Sequence, residues 1–190
     1  MAKIMELIRR LSSPDNKRVL QAVEELRVQG WLSDGSLVGV PLCHVHMEGA
    51  DLLGANLARV DFHQAHLQNA DLSMANLKGA KLTRANLQSA NLSMANLSDA
   101  DLFKADMTNA HNLTHSQLAR VKRLWGAIMP DGETYDGRYN LSGDIDFARW
   151  GRVNVDSEEA MAEFMGIPLE RYREGQALGA SLMETGEVHA

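Results

Sequence analysis

A single cysteine in 190 residues excludes a disulfide framework and a cysteine-only zinc site. Aromatic residues are only 5% of the chain while apolar residues reach 45%, so any core is built from Ala, Leu and Met. There is no cationic excess. The formal net charge is −6, which argues against a general nucleic-acid or anionic-membrane binder. No apolar run approaches the roughly 18–20 residues of a membrane span. The opening MAKIMELIRRLSS carries charges through its apolar stretch and does not read as a secretory signal. The expectation is a soluble, cytoplasmic protein with one ordinary domain, or a small domain with appendages. Enzyme signatures are missing too. There is no G-x-x-x-x-G-K-[ST], no G-x-G-x-x-G, no H-E-x-x-H and no G-x-S-x-G. No catalytic residue and no cofactor is expected.

What is present is a repeat. From Ala50 to Ala110 a small apolar residue recurs every fifth position, with Val60 in place of alanine once. Two residues later stands a large one: Leu52, Leu57, Phe62, Leu67 and so on to Met107. The residue between them is Asp or Asn, except at His66 and Lys81. Leu37, Val40/Leu42 and Val45/Met47 extend the frame backwards. In an α-helix five residues drift by about 140°, so the leucines would share no face. In a straight strand, with period two, alternate repeats would flip to the wrong side. A chain that turns a corner every five residues and coils round its own leucines buries both series. Stacked coils would then pair backbone groups at about 4.8 Å.

The run A(D/N)LXX, as in ADLLGANLARVDF and ANLQSANLSMANL, resembles the pentapeptide-repeat family over residues 37–110. The resemblance implies an all-β fold, a right-handed quadrilateral β-helix with four repeats per coil. This segment would make a β-solenoid of about 3.7 coils and roughly 18 Å height.

The flanks read as covers for the two open ends. Residues 1–36 are expected to be an N-terminal helical cap, with Ser13 as N-cap and Pro14 at the first helical position of its second helix. Residues 111–126 are expected to hold a capping helix, opened by the Thr114/Gln117 capping box and running to about Arg123. Residues 127–190 read as a hairpin-like segment, turning at Pro130-Asp131-Gly132, and an acidic two-helix tail over 157–165 and 168–178.

A twenty-residue coil would stack outward residues in columns. Asn56, Asn76 and Asn96 would form one ladder, and Asp61, Lys81 and Asp101 a column of alternating sign. Met74 and Met94, with Leu53 nearby, and Phe103 on another wall are the candidate interaction residues. His46 and His66 are twenty apart, as are Cys43 and His63, and these four are the candidate metal ligands.

The leading functional expectation is a non-enzymatic structural or protein-interaction module. Its partner is an unidentified protein, with no nucleic acid and no membrane. A homodimer through the C-terminal helices or the Met74/Met94 wall is one form of it. The resemblance supplies an alternative, since some members of the family mimic duplex DNA and bind DNA gyrase, a type II topoisomerase. Residues 50–110 carry six Asp against five Lys and Arg, so these walls are nearly neutral, unlike DNA. A metal site at Cys43/His46/His63/His66 is the third reading.

Overall fold

The computed structural model describes residues 2–185. Its centre is a stack of coils in which the backbone pairs with itself twenty residues on. Single-residue parallel bridges join His46 to His66, Asp51 to Asp71, Asn56 to Asn76 and Asp61 to Lys81, and the pattern runs to Asn91 and His111. Backbone bonds follow the same register: Leu67 N–H donates to Asn86 O at 2.8 Å, and His66 N–H to Val45 O at 2.8 Å. The alanines and the large residues point inward, and Ala70, Leu72, Ala75 and Leu77 are all fully buried.

The all-β expectation does not hold. Among the described residues there is no β-strand, only isolated bridges, and the regular elements are six helices. The reason lies in the period. Each five-residue unit contributes one bridged residue and then two turn residues, so the extended stretch ends before a strand can form.

The Asp or Asn at each bridged position has a local task. Its side chain accepts the N–H two residues on, as in Leu53 to Asp51 (3.1 Å), Ser73 to Asp71 (2.9 Å) and Thr108 to Asp106 (3.0 Å). These Asx turns fold the corners. Between coils the same side chains form ladders, with Asn76 Nδ2 donating to Asn56 Oδ1 at 3.1 Å and Lys81 paired with Asp61 at 3.3 Å.

Ahead of the stack lie α1 (Ala2–Leu11) and α2 (Asn16–Val28). The N-cap of α2 is Asp15, which accepts Lys17 N–H, and not Ser13. Ser13 Oγ instead accepts Asp15 N–H at 3.2 Å, one step before the helix. Leu7, Leu11, Val19, Val23 and Leu26 are buried in one continuous core with the first coil. Asn16 Nδ2 donates to Glu48 O at 3.0 Å, and Arg27 pairs with Asp51 at 2.6 Å, tying α2 to that coil.

Winding does not stop at Ala110. Asp101 bridges to Arg123 and Asp106 to Ile128, now twenty-two residues apart. Leu102 N–H donates to Arg123 O at 3.0 Å and Met107 N–H to Ile128 O at 2.9 Å. Leu124, Ala127 and Met129 are buried in the positions the repeat reserves for its core. The two extra residues are taken up at α3 (His115–Leu118), a single turn rather than a helix to Arg123. Its capping box forms, and Gln117 Nε2 donates to Leu92 O (2.8 Å) and Ala95 O (2.9 Å), replacing part of the backbone ladder.

After the last coil a tight turn at residues 129–132 and an antiparallel bridge between Ile128 and Thr134 reverse the chain. Helices α4 (Ser142–Trp150), α5 (Glu158–Met165) and α6 (Leu169–Glu184) follow. No helix among the described residues is long and apolar enough to cross a membrane.

Candidate functional site

The corner that follows each buried leucine has a left-handed backbone. Every fifth residue from Gly39 to Asn109 has positive φ, including Met74 at 56° and Met94 at 55°. Side chains at these corners stand outward. They are glycine or polar everywhere except at Met74 and Met94, which share one column. The two methionines are 61% and 76% exposed, and Leu53 beside them is 45% exposed. Met94 also borders an open groove whose other side is formed by Ser116, Gln117 and Arg120, where α3 displaces the regular coil.

The four candidate ligands separate into two places. His46 and His66 stack face to face, with ring centroids 4.5 Å apart and planes 20° from parallel. They are joined by Glu48, whose Oε1 lies 3.2 Å from His46 Nδ1 and 3.7 Å from His66 Nδ1. Glu48 was invisible to the column argument because the residue twenty ahead of it is Gln68, which is not a metal ligand. The spacing His-x-Glu was the available signal: two residues apart across a turn, both side chains reach the same wall. Cys43 stands elsewhere, against Asp61, and His63 packs edge-on to His44 at 5.8 Å. Burial and then the Asp61 carboxylate push the Cys43 thiol up, which keeps its proton on sulfur. Burial also acts on Asp61, but the His63 N–H, the Cys43 thiol and Lys81 outweigh it, and its carboxyl sits below the usual range.

The pentapeptide-repeat family model matches residues 36–73, 46–84 and 80–111, in eight copies of the repeat. Residues 36–111 are thus a segment of pentapeptide repeats. Among solved structures it is similar to HetL, a pentapeptide-repeat protein involved in heterocyst differentiation regulation in a Nostoc cyanobacterium. That match has 41% identity and a TM-score of 0.47, and covers 50% of this chain and 43% of HetL. It is also similar to a pentapeptide-repeat protein of the Arabidopsis thaliana thylakoid lumen, at 25% identity and a TM-score of 0.40, over 48% of this chain and 59% of that one. This chain therefore spans less than two thirds of either protein. No curated protein matches it.

The family's repeat ends in this protein under an aromatic seal. Phe103, expected on an open wall, is half-buried there. It stacks on Trp125 at 5.2 Å and meets Phe147 of α4 edge-on at 5.4 Å. Arg123 lies over the Phe103 ring at 4.4 Å while making a bidentate pair with Asp101. Trp125 Nε1 donates to Phe164 O of α5 at 3.1 Å. Thus Phe103 is a packing residue of the C-terminal region. Beneath the seal Asp144 is buried and accepts the N–H groups of Leu124 (3.1 Å) and Trp125 (2.8 Å). Burial pushes its carboxyl up to about 6 against the pull of those donors and of Arg123.

The tail cluster of Asp136 and Arg138 is likewise structural. The two form a part-buried bidentate pair, at 2.9 and 2.8 Å, under α6. The groove beside it is lined by Arg171, Glu174, Gly175 and Leu178 as well.

Proposed function

We propose that this pentapeptide-repeat protein is a non-enzymatic interaction module whose contact surface is the Met74/Met94 wall and the adjoining groove at Gln117 and Arg120. The observation that supports this is the pair of methionines itself. A non-glycine residue in left-handed backbone costs roughly 1 kcal/mol, and an exposed thioether returns no core packing. Elsewhere the repeat fills such corners with glycine or polar residues. Methionine suits a contact surface because its unbranched, polarizable chain adapts to a partner. The partner is a protein met in the cytoplasm, not a nucleic acid or a membrane.

The test is capture from the source cell's lysate with two tagged full-length baits, one native and one carrying Met74→Lys and Met94→Lys, each weighed by light scattering. A partner held by the first bait and lost by the second supports the proposal. A native homodimer that the paired substitution turns into monomer identifies the partner as a second copy. Equal capture by both baits removes the wall from consideration. Capture of a type II topoisomerase would favour the DNA-mimic reading instead.

A further inference from the structure

The histidine pair lies at the covered end of the stack, on a different part of the protein from the methionine wall. Among the described residues it is the cluster in which three side chains with metal-ligating atoms converge, with all donor atoms within 4.8 Å of one another. The twenty-residue register sets its geometry. Because residues 46 and 66 are bridged, their rings are held in parallel, one coil apart. Both Nδ1 atoms face the same oxygen, Glu48 Oε1, at 3.2 and 3.7 Å. In a tetrahedral site with metal–ligand bonds of about 2.0–2.2 Å, neighbouring donor atoms stand roughly 3.3–3.5 Å apart. The observed separations straddle that value.

The surroundings are short of donors. Glu48 Oε2 is buried and has no hydrogen-bond partner. Asn16 Oδ1 and Gln68 Oε1 are also buried and unpartnered. Both residues adjoin Glu48. Asn16 donates its amide to the Glu48 carbonyl, and Gln68, one coil on in the same column, accepts Gly49 N–H through its own carbonyl. The orphaned carboxylate oxygen of Glu48 leaves a place where positive charge is favoured.

We propose that His46, Glu48 and His66 bind one divalent first-row transition ion, of the zinc type, through two imidazole Nδ1 atoms and the carboxylate. Imidazole donors select such an ion over calcium or magnesium, which take oxygen ligands. Three protein ligands leave a fourth position to water. The ligand side chains keep between 31% and 44% of their surface exposed, so an ion enters without unfolding the coils. Cys43 takes no part, since its thiol is engaged with Asp61. The bound ion joins the first coil to the second directly below α2.

The test uses tag-free, full-length protein stripped with chelator, then titrated with zinc chloride by calorimetry and with cobalt chloride by visible absorption. The native chain is expected to bind one ion, with cobalt giving the d–d bands of a tetrahedral site and zinc raising the melting temperature. Glu48→Gln is expected to weaken binding at least tenfold and His66→Gln to abolish it. His63→Gln should bind as the native chain does. Far-UV circular dichroism of the apo variants separates ligand loss from unfolding. Absence of stoichiometric binding by the native chain overturns the proposal. So does native affinity in both Glu48→Gln and His66→Gln, and loss of binding in His63→Gln would move the ion to the Cys43/His63 side.

Discussion

The left-handed corner makes each repeat's last residue a trade between backbone comfort and side-chain presentation. Glycine relieves the clash of Cβ with the following carbonyl, so Met94→Gly is expected to leave the fold intact and raise its stability by up to about 1 kcal/mol in urea unfolding. A loss of stability would mean that the Met94 side chain packs on the stack after all. Asp144 carries the opposite kind of tension. Its carboxyl titrates near 6 when folded, against an ordinary value of 3.8. The folded chain therefore holds this proton more tightly than the unfolded one. The stabilisation from the neutral acid is complete below the ordinary value and is lost as pH rises through about 6. The full effect is at most about 3 kcal/mol. Asp71 and Asp106 run the other way. Bonds from Ser73 hold the first below the usual range, and bonds from Thr108 and Gln88, outweighing burial, do so for the second, so their contributions fade as pH falls. The measurement is thus a difference: between pH 4 and 7 the melting temperature of the native chain should fall relative to that of Asp144→Asn. A native curve that rises relative to the variant contradicts the buried-acid assignment.

Among the elements, α6 depends on two missing side chains. A Cβ on Gly179 would lie 1.9 Å from Arg138 O, and one on Gly175 would lie 2.6 Å from the Asp136 carboxyl carbon. The helix rests on the backbone of residues 136–138 and holds it with Gln176, which donates to Gly137 O at 2.9 Å. Gly179→Ala should therefore displace α6 while the coils stay folded, read as loss of helical circular dichroism with the main unfolding transition retained. One cooperative loss of everything would show that α6 and the coils are a single unit. At α3 the Gln117 side chain stands in for a rung of the ladder, and Gln117→Ala should cost about 1–3 kcal/mol by taking the amide donor from Ala95 O and leaving Leu92 O with the Ala95 N–H alone. The elements read unevenly from the sequence. Helix α5 is announced by Ser157, whose hydroxyl accepts Ala160 N–H, and is closed by Gly166 in left-handed backbone. Helix α4 went unseen because Leu141 caps it without a side-chain bond and SGDIDFARW lacks a clean apolar stripe. The last coil was hidden for a sharper reason. Lys122 occupies the alanine position of its repeat, and the two residues absorbed at α3 break the count by five.

For the whole molecule the period-five arithmetic was decisive about what is buried and silent about how the segments are stitched. Leu77 is fully enclosed, and Leu77→Lys should bury an unpaired charge and unfold the stack. A soluble variant with a cooperative melt would disprove the inward placement. The all-β expectation failed because periodicity fixes where the chain turns, not whether the pieces between turns are long enough to be strands. The histidine column was legible through its twenty-residue spacing, which also aligns Glu48 with Gln68, whereas Asn16 reaches Glu48 only through the cover of α2. The aromatic seal was illegible because Phe103, Trp125, Phe147 and Phe164 are scattered along the chain and meet only when the final coil is in place.

The order of pairing along the stack bears on how the protein is made. Within it each coil donates N–H groups both to the coil already wound and to the one that follows, as when Asp71 bonds back to Ala50 and Leu72 forward to Asn91. A nascent coil is therefore half satisfied until another twenty residues have emerged. Helices α1 and α2 leave the ribosome before the coils and seat on the earliest one, so growth proceeds from a protected face toward a single exposed one. That exposed face is transient, sticky and renewed with every turn until Trp125 and α4 close it. Translation speed across residues 91–150 then governs how long the growing end is available to another chain in the same state.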